Sequence, residues 1–216
     1  MGSRKIIVFG ASGGLGSKIC DIFQNNTTYN VIRLSSGDLD VTNEDDVYDF
    51  FNNNDDVFCV INLFGVNYDG FAHKIKSDNI KKMIDVNIHG TINVCKYALD
   101  KMRKNNIGKI INISSVLTEK TTVGTSIYTG TKCFIDGYTK VIASENISKN
   151  INCNSIKLGY FDGGMTYTIP DDVMNDIKSN IPLNRFGRID ELYNTINYLI
   201  NTDYISGQSI NISGGL

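Results

Sequence analysis

The chain has 216 residues, 41% hydrophobic and 20% charged, with two prolines, enough for one packed domain over 1–216 and too little for two ordinary ones. Basic and acidic side chains nearly balance, at a formal charge of −2 and an isoelectric point near 5.7. This excludes the basic field that a phosphate backbone or an anionic membrane requires, so neither nucleic acid nor membrane is an expected partner.

The run at 5–9, Lys-Ile-Ile-Val-Phe, is apolar enough for a strand buried on both faces, and a glycine turn leads from it into a helical pattern over 15–23. This apolar start is short and broken by glycines, so it is neither a signal peptide nor a membrane span. A second strand at 30–34 leads through Ser35, Ser36 and Gly37 to Asp38-Leu39-Asp40-Val41. Thr42, with Asp45 three positions on, marks the capped start of a helix over 43–52. A strand follows at 57–63, then a loop around Tyr68-Asp69-Gly70 and a long amphipathic helix over 79–104, whose interior Asn87 and Gly90 lower its propensity. Next come a strand at 109–114, a helix over 125–147, a strand at 151–158, helices over 170–180 and 189–201, and a last strand at 208–212 before Gly214-Gly215.

This alternation implies an α/β chain: a single doubly wound, Rossmann-type domain with a mostly parallel sheet of about seven strands and helices on both faces. Only about five residues separate the second strand from Asp40, whereas a parallel crossover takes ~10–12 or more. The helix between the second and third strands is therefore missing or replaced by a loop, or the third strand is vestigial. Either leaves one side of the adenine end of a nucleotide site more open.

Gly10-Ala11-Ser12-Gly13-Gly14-Leu15-Gly16 lies where the first strand ends and the first helix begins. Glycines there let the backbone turn and approach a pyrophosphate, whose charge meets amides and the positive end of the helix dipole. Gly10, Ser12, Gly13, Gly14, Leu15 and Gly16 are thus candidate contacts of a nicotinamide dinucleotide. No acid appears after the second strand until Asp38; Arg33 and Ser35 instead suit a 2′-phosphate, which favours NADP(H) over NAD(H). The five cysteines, at 20, 59, 95, 133 and 153, stand singly, without a Cys-x-x-Cys pair or histidines at ligand spacing. They imply no metal site and a reducing, cytoplasmic compartment.

Tyr128 and Lys132 stand at i and i+4, on one helix face. Ser115 ends a buried strand thirteen residues before Tyr128. An unperturbed phenol, with pKa about 10, is a weak base at neutral pH. A neighbouring ammonium and a positive nicotinamide ring both favour phenolate and are expected to bring that pKa toward the working range.

The glycine spacing, the serine strand at 110–116 and Tyr128-x-x-x-Lys132 resemble the short-chain dehydrogenase/reductase family, and most of all its 3-oxoacyl-acyl-carrier-protein reductase branch. The likeness runs over essentially the whole chain, through Tyr68-Asp69-Gly70-Phe71, the segment 181–187, Ile205-Ser206-Gly207-Gln208 and Gly214-Gly215. It implies that Tyr128 exchanges the proton, Ser115 polarises the carbonyl oxygen, Lys132 tunes Tyr128 and binds the nicotinamide ribose, and Asn87 holds a water of the proton relay. It also implies that Asp40, beside Val41, receives the adenine amino group, and that Asn62, Phe64, Gly65, Gly159 and Phe161 lie at cofactor positions.

The activity implied is NAD(P)H-dependent reduction of a ketone to a secondary alcohol, or the reverse, with a 3-oxoacyl thioester as the first substrate class and a ketosugar or nucleotide sugar as its rival. A non-catalytic dinucleotide-binding regulator is the alternative of another kind; it would need the glycine turn but not the proton-transfer set. Family members pair through helices matching 79–104 and 126–147, which implies a homodimer or homotetramer. Three departures bear on the cofactor: Phe64 puts bulk at a small-residue position, Leu158-Gly159 replaces a more rigid Pro-Gly, and Asp162-Gly163-Gly164 lacks a carboxamide-binding threonine. Val116, Leu117, Tyr160, Phe161, Met165 and Tyr167 are candidate walls of a substrate pocket.

Overall fold

Strand-forming apolar runs pair into six parallel strands in the order β2-β1-β3-β4-β5-β6. These are β1 (Arg4–Phe9), β2 (Tyr29–Leu34), β3 (Val57–Asn62), β4 (Gly108–Ser115), β5 (Ile151–Leu158) and β6 (Ser209–Ile212). The structure is a computed structural model, and it describes residues 4–25, 28–163 and 171–216. Side chains alternate along β1: Ile6 and Val8 enter one apolar layer, Ile7 and Phe9 the other. On the first face pack α1 (Gly14–Gln24) and α7 (Ile189–Asn201), through Ile19 and Phe23 against Leu192 and Ile196. The opposite face carries α2 (Glu44–Asn52), α4 (Gly90–Asn105) and α5 (Ser126–Asn146), through Val47, Phe51, Val94, Met102 and Ile142. Phe23 is fully buried with its ring 4.9 Å from that of Tyr193; burying such a side chain contributes ~1.5–3 kcal/mol.

Strand order reverses between β2-β1 and β3, so the carboxyl ends of β1 and β3 diverge and leave a crevice there. The sheet has six strands among the described residues, rather than about seven, because 38–41 forms no strand. The amides of Asp38 and Leu39 bond back to the Ser35 carbonyl at 3.1 Å, closing a turn that leaves no extended edge to pair. The third strand is therefore dispensed with, together with the helix that would have led to it, and α2 itself makes the crossover from β2 to β3. Asn43, not Thr42, caps α2, its Oδ1 accepting from the Asp45 amide at 3.1 Å. The Thr42 amide and hydroxyl are both drawn back to Asp40 Oδ1.

The long helix is interrupted where its propensity is weakest. α3 (Ser77–Ile84) passes through one π turn, Asp85–His89, into α4, with Asn87 at the centre of the turn; such bulges inside helices mark functional sites often. α6 (Asp171–Ser179) completes the described helices. Among the described residues, no helix is long and apolar enough to cross a membrane.

Candidate active site

Because residues alternate along β4, its last two serines face opposite ways. Ser114 donates to the Lys132 carbonyl at 3.2 Å and so fastens α5 to the sheet. Ser115 faces the crevice, its Oγ accepting from the Leu117 amide at 3.2 Å, and it lines the same cavity as the Tyr128 phenol. A further tie, Asn112 Nδ2 to Thr139 Oγ1 at 2.9 Å, holds the middle of α5 on β4. Tyr128 and Lys132, one turn apart on α5, are thereby presented beside Ser115, as their spacing predicted. The Lys132 ammonium donates to the Ile113 carbonyl at 2.8 Å and lies 5.6 Å from the centroid of the Tyr128 ring.

Burial decides the protonation of this pair. It pushes the Tyr128 phenol up to about 12, against the opposing effect of the Ser115 hydroxyl, while Asp69 and Tyr160 add to the rise. Burial also brings Lys132 down to about 8, partly countered by Asp136 one turn further along α5. The expected lowering of the phenol by its ammonium neighbour is thus not produced by the chain alone. The ammonium is turned to the Ile113 carbonyl, and desolvation of a would-be phenolate outweighs it. At neutral pH Tyr128 keeps its proton, the form in which it can donate one.

Asn87 joins three parts of the site. It accepts from the Val66 amide and donates to the Val66 carbonyl, each at 2.9 Å, and donates to Thr131 Oγ1 at 3.0 Å. The π turn widens the helix at this residue, and Asn87 thereby clamps the loop after β3 to α5. Gly65 permits the approach: a Cβ there would lie 3.3 Å from Lys132 Nζ and 3.4 Å from Asn87 Oδ1.

At the other end of the crevice, Gly10 has φ +81°, and a Cβ on it would lie 2.6 Å from the Phe64 amide nitrogen. A Cβ on Gly16 would run into the Gly10 carbonyl oxygen. These two glycines let β1, α1 and the loop after β3 meet, with the N-terminus of α1 at the groove. The groove, about 690 Å³, is lined by Gly10, Ser12, Gly13, Gly14, Leu15 and Gly16 from the turn, Ser35, Asp40 and Val41 beyond β2, and Phe64 and Gly65. Leu15, Leu63, Phe64 and Gly65 also line a second cavity, about 750 Å³, which holds Ser115, Tyr128, Lys132, Gly159 and Phe161. The two adjoin along these four residues.

Two predicted cofactor residues are not brought to either. Arg33 is turned beneath α1, bonded to Asp21 at 2.7 Å and Gln24 at 3.0 Å. Asn62 is buried under the sheet, donating to Asn112 Oδ1 at 2.8 Å, a placement that its apolar neighbours on β3 could have suggested. Phe64 does line the cleft, but its ring packs edge-on to Phe9 at 6.5 Å, and Gly90 leaves room for it: a Cβ there would lie 3.2 Å from Phe64 Cε2. Nor is the backbone at Gly159 loose, since its amide donates to the Ile212 carbonyl at 2.9 Å. Of the proposed substrate walls, Val116, Leu117, Tyr160 and Phe161 line the cavity; Met165 and Tyr167 lie outside the described residues.

Other lining residues carried no signal in their own right. Lys82 and Val86 line the groove one helical turn apart on the segment leading to Asn87, and Asn67 and Asp69 line the cavity from the loop after β3. Asp38, though outside the lining set, accepts from both the amide and the hydroxyl of Ser35, at 2.8 and 2.5 Å, which holds its carboxyl below the usual range.

A protonated phenol at one end of a glycine-floored dinucleotide groove is the arrangement of a nicotinamide-dependent oxidoreductase. Residues 27–216 match the family described as enoyl-(acyl carrier protein) reductase. Carbonyl reductase family member 4 of Xenopus tropicalis is 28% identical over 97% of this chain and 96% of its own length. The 3-oxoacyl-acyl-carrier-protein reductase of Homo sapiens is 27% identical over 97% and 96%. A small-chain dehydrogenase solved in complex with NADPH shares the fold, with a TM-score of 0.90 at 21% identity over 99% of this chain and 98% of that one. The chain belongs to the short-chain dehydrogenase/reductase family. It is an oxidoreductase of that family, acting between a carbonyl and an alcohol.

Proposed function

We propose that the enzyme uses NADP(H) to reduce a ketone to a secondary alcohol, with Tyr128 as the proton donor. The observation that carries this reading is the cavity that holds Tyr128, Ser115 and Lys132 together and adjoins the glycine-lined groove through Leu15, Leu63, Phe64 and Gly65. The groove fits a dinucleotide: Gly10 and Gly16 leave free the space a Cβ would fill, and the helix N-terminus suits a pyrophosphate. Gly10, Ser12, Gly13, Gly14, Leu15 and Gly16 would hold the phosphates, Asp40 and Val41 the adenine, and Lys132 the nicotinamide ribose. When bound, the cofactor supplies the hydride.

The chain's own residues manage the oxygen. Ser115 donates a hydrogen bond to the carbonyl and polarises it, and Tyr128 delivers its proton as negative charge develops there. Lys132 remains largely charged at pH 7, since its pKa stands at about 8, and favours the phenolate left behind. Asn87 holds the loop and helix in register, and a water at the π turn returns the proton from solvent. Preference for NADP(H) is supported by the solved relative that binds NADPH.

For substrate, the relative that reduces 3-oxoacyl-acyl-carrier-protein supports a 3-oxoacyl thioester. A hydroxylated ketone such as a ketosugar is a second reading, favoured by the polar wall of Asn67 and Asp69. A non-catalytic regulator has no use for the Ser115, Tyr128 and Lys132 arrangement. We also propose a homo-oligomer paired through α4 and α5; a monomer by sedimentation at micromolar concentration would contradict it. Steady-state NADPH oxidation with a 3-oxoacyl thioester and with a ketose tests the activity. Tyr128→Phe is expected to lower kcat/KM by ~10²–10⁴-fold with cofactor binding retained; unchanged turnover would defeat the assignment.

A further inference from the structure

A diphosphate carries two negative charges, and the residues assigned to it, from Gly10 to Gly16, carry none. Asp40 and Lys82 are the charged side chains among the described lining residues of the groove, and Lys82 acts electrostatically on Asp40, so the two offset each other. The helix end beneath the groove is bare. Gly13, the N-cap of α1, offers no side-chain cap and no acid stands in the first turn. The amides of Gly14, Leu15 and Gly16 precede the first bond of the helix, from the Ser17 amide to the Gly13 carbonyl at 2.9 Å. One turn on, Lys18 is half-buried, and its side chain runs back toward this end, as helical side chains do. A Cβ on Gly163 would lie 3.6 Å from Lys18 Nζ, 3.5 Å from Leu15 Cδ2 and 3.7 Å from the Gly14 carbonyl oxygen, so the ammonium stands where the loop after β5 meets the first turn of α1. Leu15 lines both cavities and Gly163 lines the catalytic one, which sets the ammonium beside the junction that a bound dinucleotide crosses.

We propose that Lys18 binds the diphosphate of the nicotinamide dinucleotide, supplying the cation that the glycine turn lacks. A cation directed at the positive end of a helix is unfavourable by itself, whereas an anion placed there is attracted by the helix end and the ammonium together. An ammonium has three donors, so it can hold a phosphate oxygen while keeping another bond. Because NADPH and NADH both carry the diphosphate, Lys18 adds affinity for either and does not choose between them. The inference rests on the reading of the groove as a dinucleotide site.

The test measures binding rather than turnover: fluorescence titration of NADPH and NADH, and calorimetric titration of ADP-ribose, on the wild type, Lys18→Met and Lys18→Arg. Lys18→Met is expected to weaken all three ligands by a common factor of about 10 to 100, the size of a hydrogen bond to a charged group, and Lys18→Arg to stay within about fivefold of the wild type. Raising the salt to about 1 M should weaken the wild type more than Lys18→Met, because the ion contact is screened. Affinities left unmoved by Lys18→Met would overturn the proposal. So would a loss confined to NADPH, which would assign Lys18 to the 2′-phosphate, or a loss that spares ADP-ribose, which would assign it to the nicotinamide end. Without ligand, the Tm of Lys18→Met should hold within about 3 °C of the wild type, since the ammonium opposes the helix dipole rather than serving the fold; a larger fall makes Lys18 a structural tie and also overturns it. If the wild type binds none of the three ligands, the dinucleotide reading is what fails; if it binds them and Lys18→Met changes nothing, Lys18 alone is set aside.

Discussion

Replacing Lys132 with methionine separates the cost of burying its charge from the catalytic role proposed for it. Lys132 is 3% exposed, and burial lowers it from the ordinary lysine value of 10.5 to about 8. At ~1.4 kcal/mol for each pH unit, the folded chain holds this ammonium about 3 kcal/mol less well than the unfolded chain does. The sign follows from proton counting. Between pH 8 and 10.5 the unfolded chain binds the extra proton, so this group makes stability rise with pH across that window, and its full cost is present below pH 8. Lys132→Met has no such proton. Its stability relative to wild type should therefore be highest at pH 7 and decline by about 2 kcal/mol by pH 9.5. The unpaired Ile113 carbonyl costs ~1–3 kcal/mol at every pH and does not enter that slope. Urea unfolding of both proteins at pH 7.0, 8.0 and 9.5 measures the difference, while kcat/KM falls at least ~100-fold. Parallel pH profiles would mean that Lys132 is not buried as a charge, and the protonation scheme of the site would fall with it.

Arg33→Ala should leave the NADPH dissociation constant within about threefold, because the guanidinium is bonded to Asp21 and Gln24 rather than turned to the groove; a tenfold loss by fluorescence titration would show that it swings across. Asp38→Asn removes a carboxylate from the Ser35 amide and hydroxyl, and should shift the NADPH to NADH affinity ratio toward NADPH by about tenfold. No change in the ratio would place the 2′ position elsewhere. Gly90→Ala puts a Cβ 2.7 Å from Val41 Cγ2 and 3.2 Å from Phe64 Cε2, and should destabilise by ~1–3 kcal/mol and weaken cofactor binding, since both residues line the groove. Thermal unfolding and titration together check it. Asn87→Ala leaves the Val66 amide and carbonyl without partners, with an expected loss of ~2–4 kcal/mol; a variant as stable as wild type would remove the clamp assigned to Asn87.

Much of this was legible in the residues themselves where the information is local. Apolar runs such as 5–9 and 57–63 become parallel strands because their side chains suit burial on both faces, and they did so within a residue or two. The weak point at Asn87 and Gly90 became a π turn, since low propensity marks where a helix can be deformed. Less legible was the segment 38–41. Counting residues excluded a helical crossover there, but whether a strand survived depended on the bonds from Asp38 and Leu39 back to Ser35, which compete with sheet pairing. The same competition moved the cap of α2 from Thr42 to Asn43.

By itself the sequence determined the α/β order, the glycine turn and the shared helix face of Tyr128 and Lys132, because each depends on spacing along one strand or helix. Tyr128 and Lys132 share a face by helical periodicity alone. Only the tertiary structure decided which way Arg33 and Asn62 turn, for that depends on partners 9 to 50 residues away. It also decided the charge state of the site: burial by surrounding elements, not the neighbouring ammonium, sets Tyr128 as a proton-holding group. And it brought Asn67 and Asp69 into the lining of the cavity that holds Tyr128, a juxtaposition made by the loop after β3 folding onto the segment before α5.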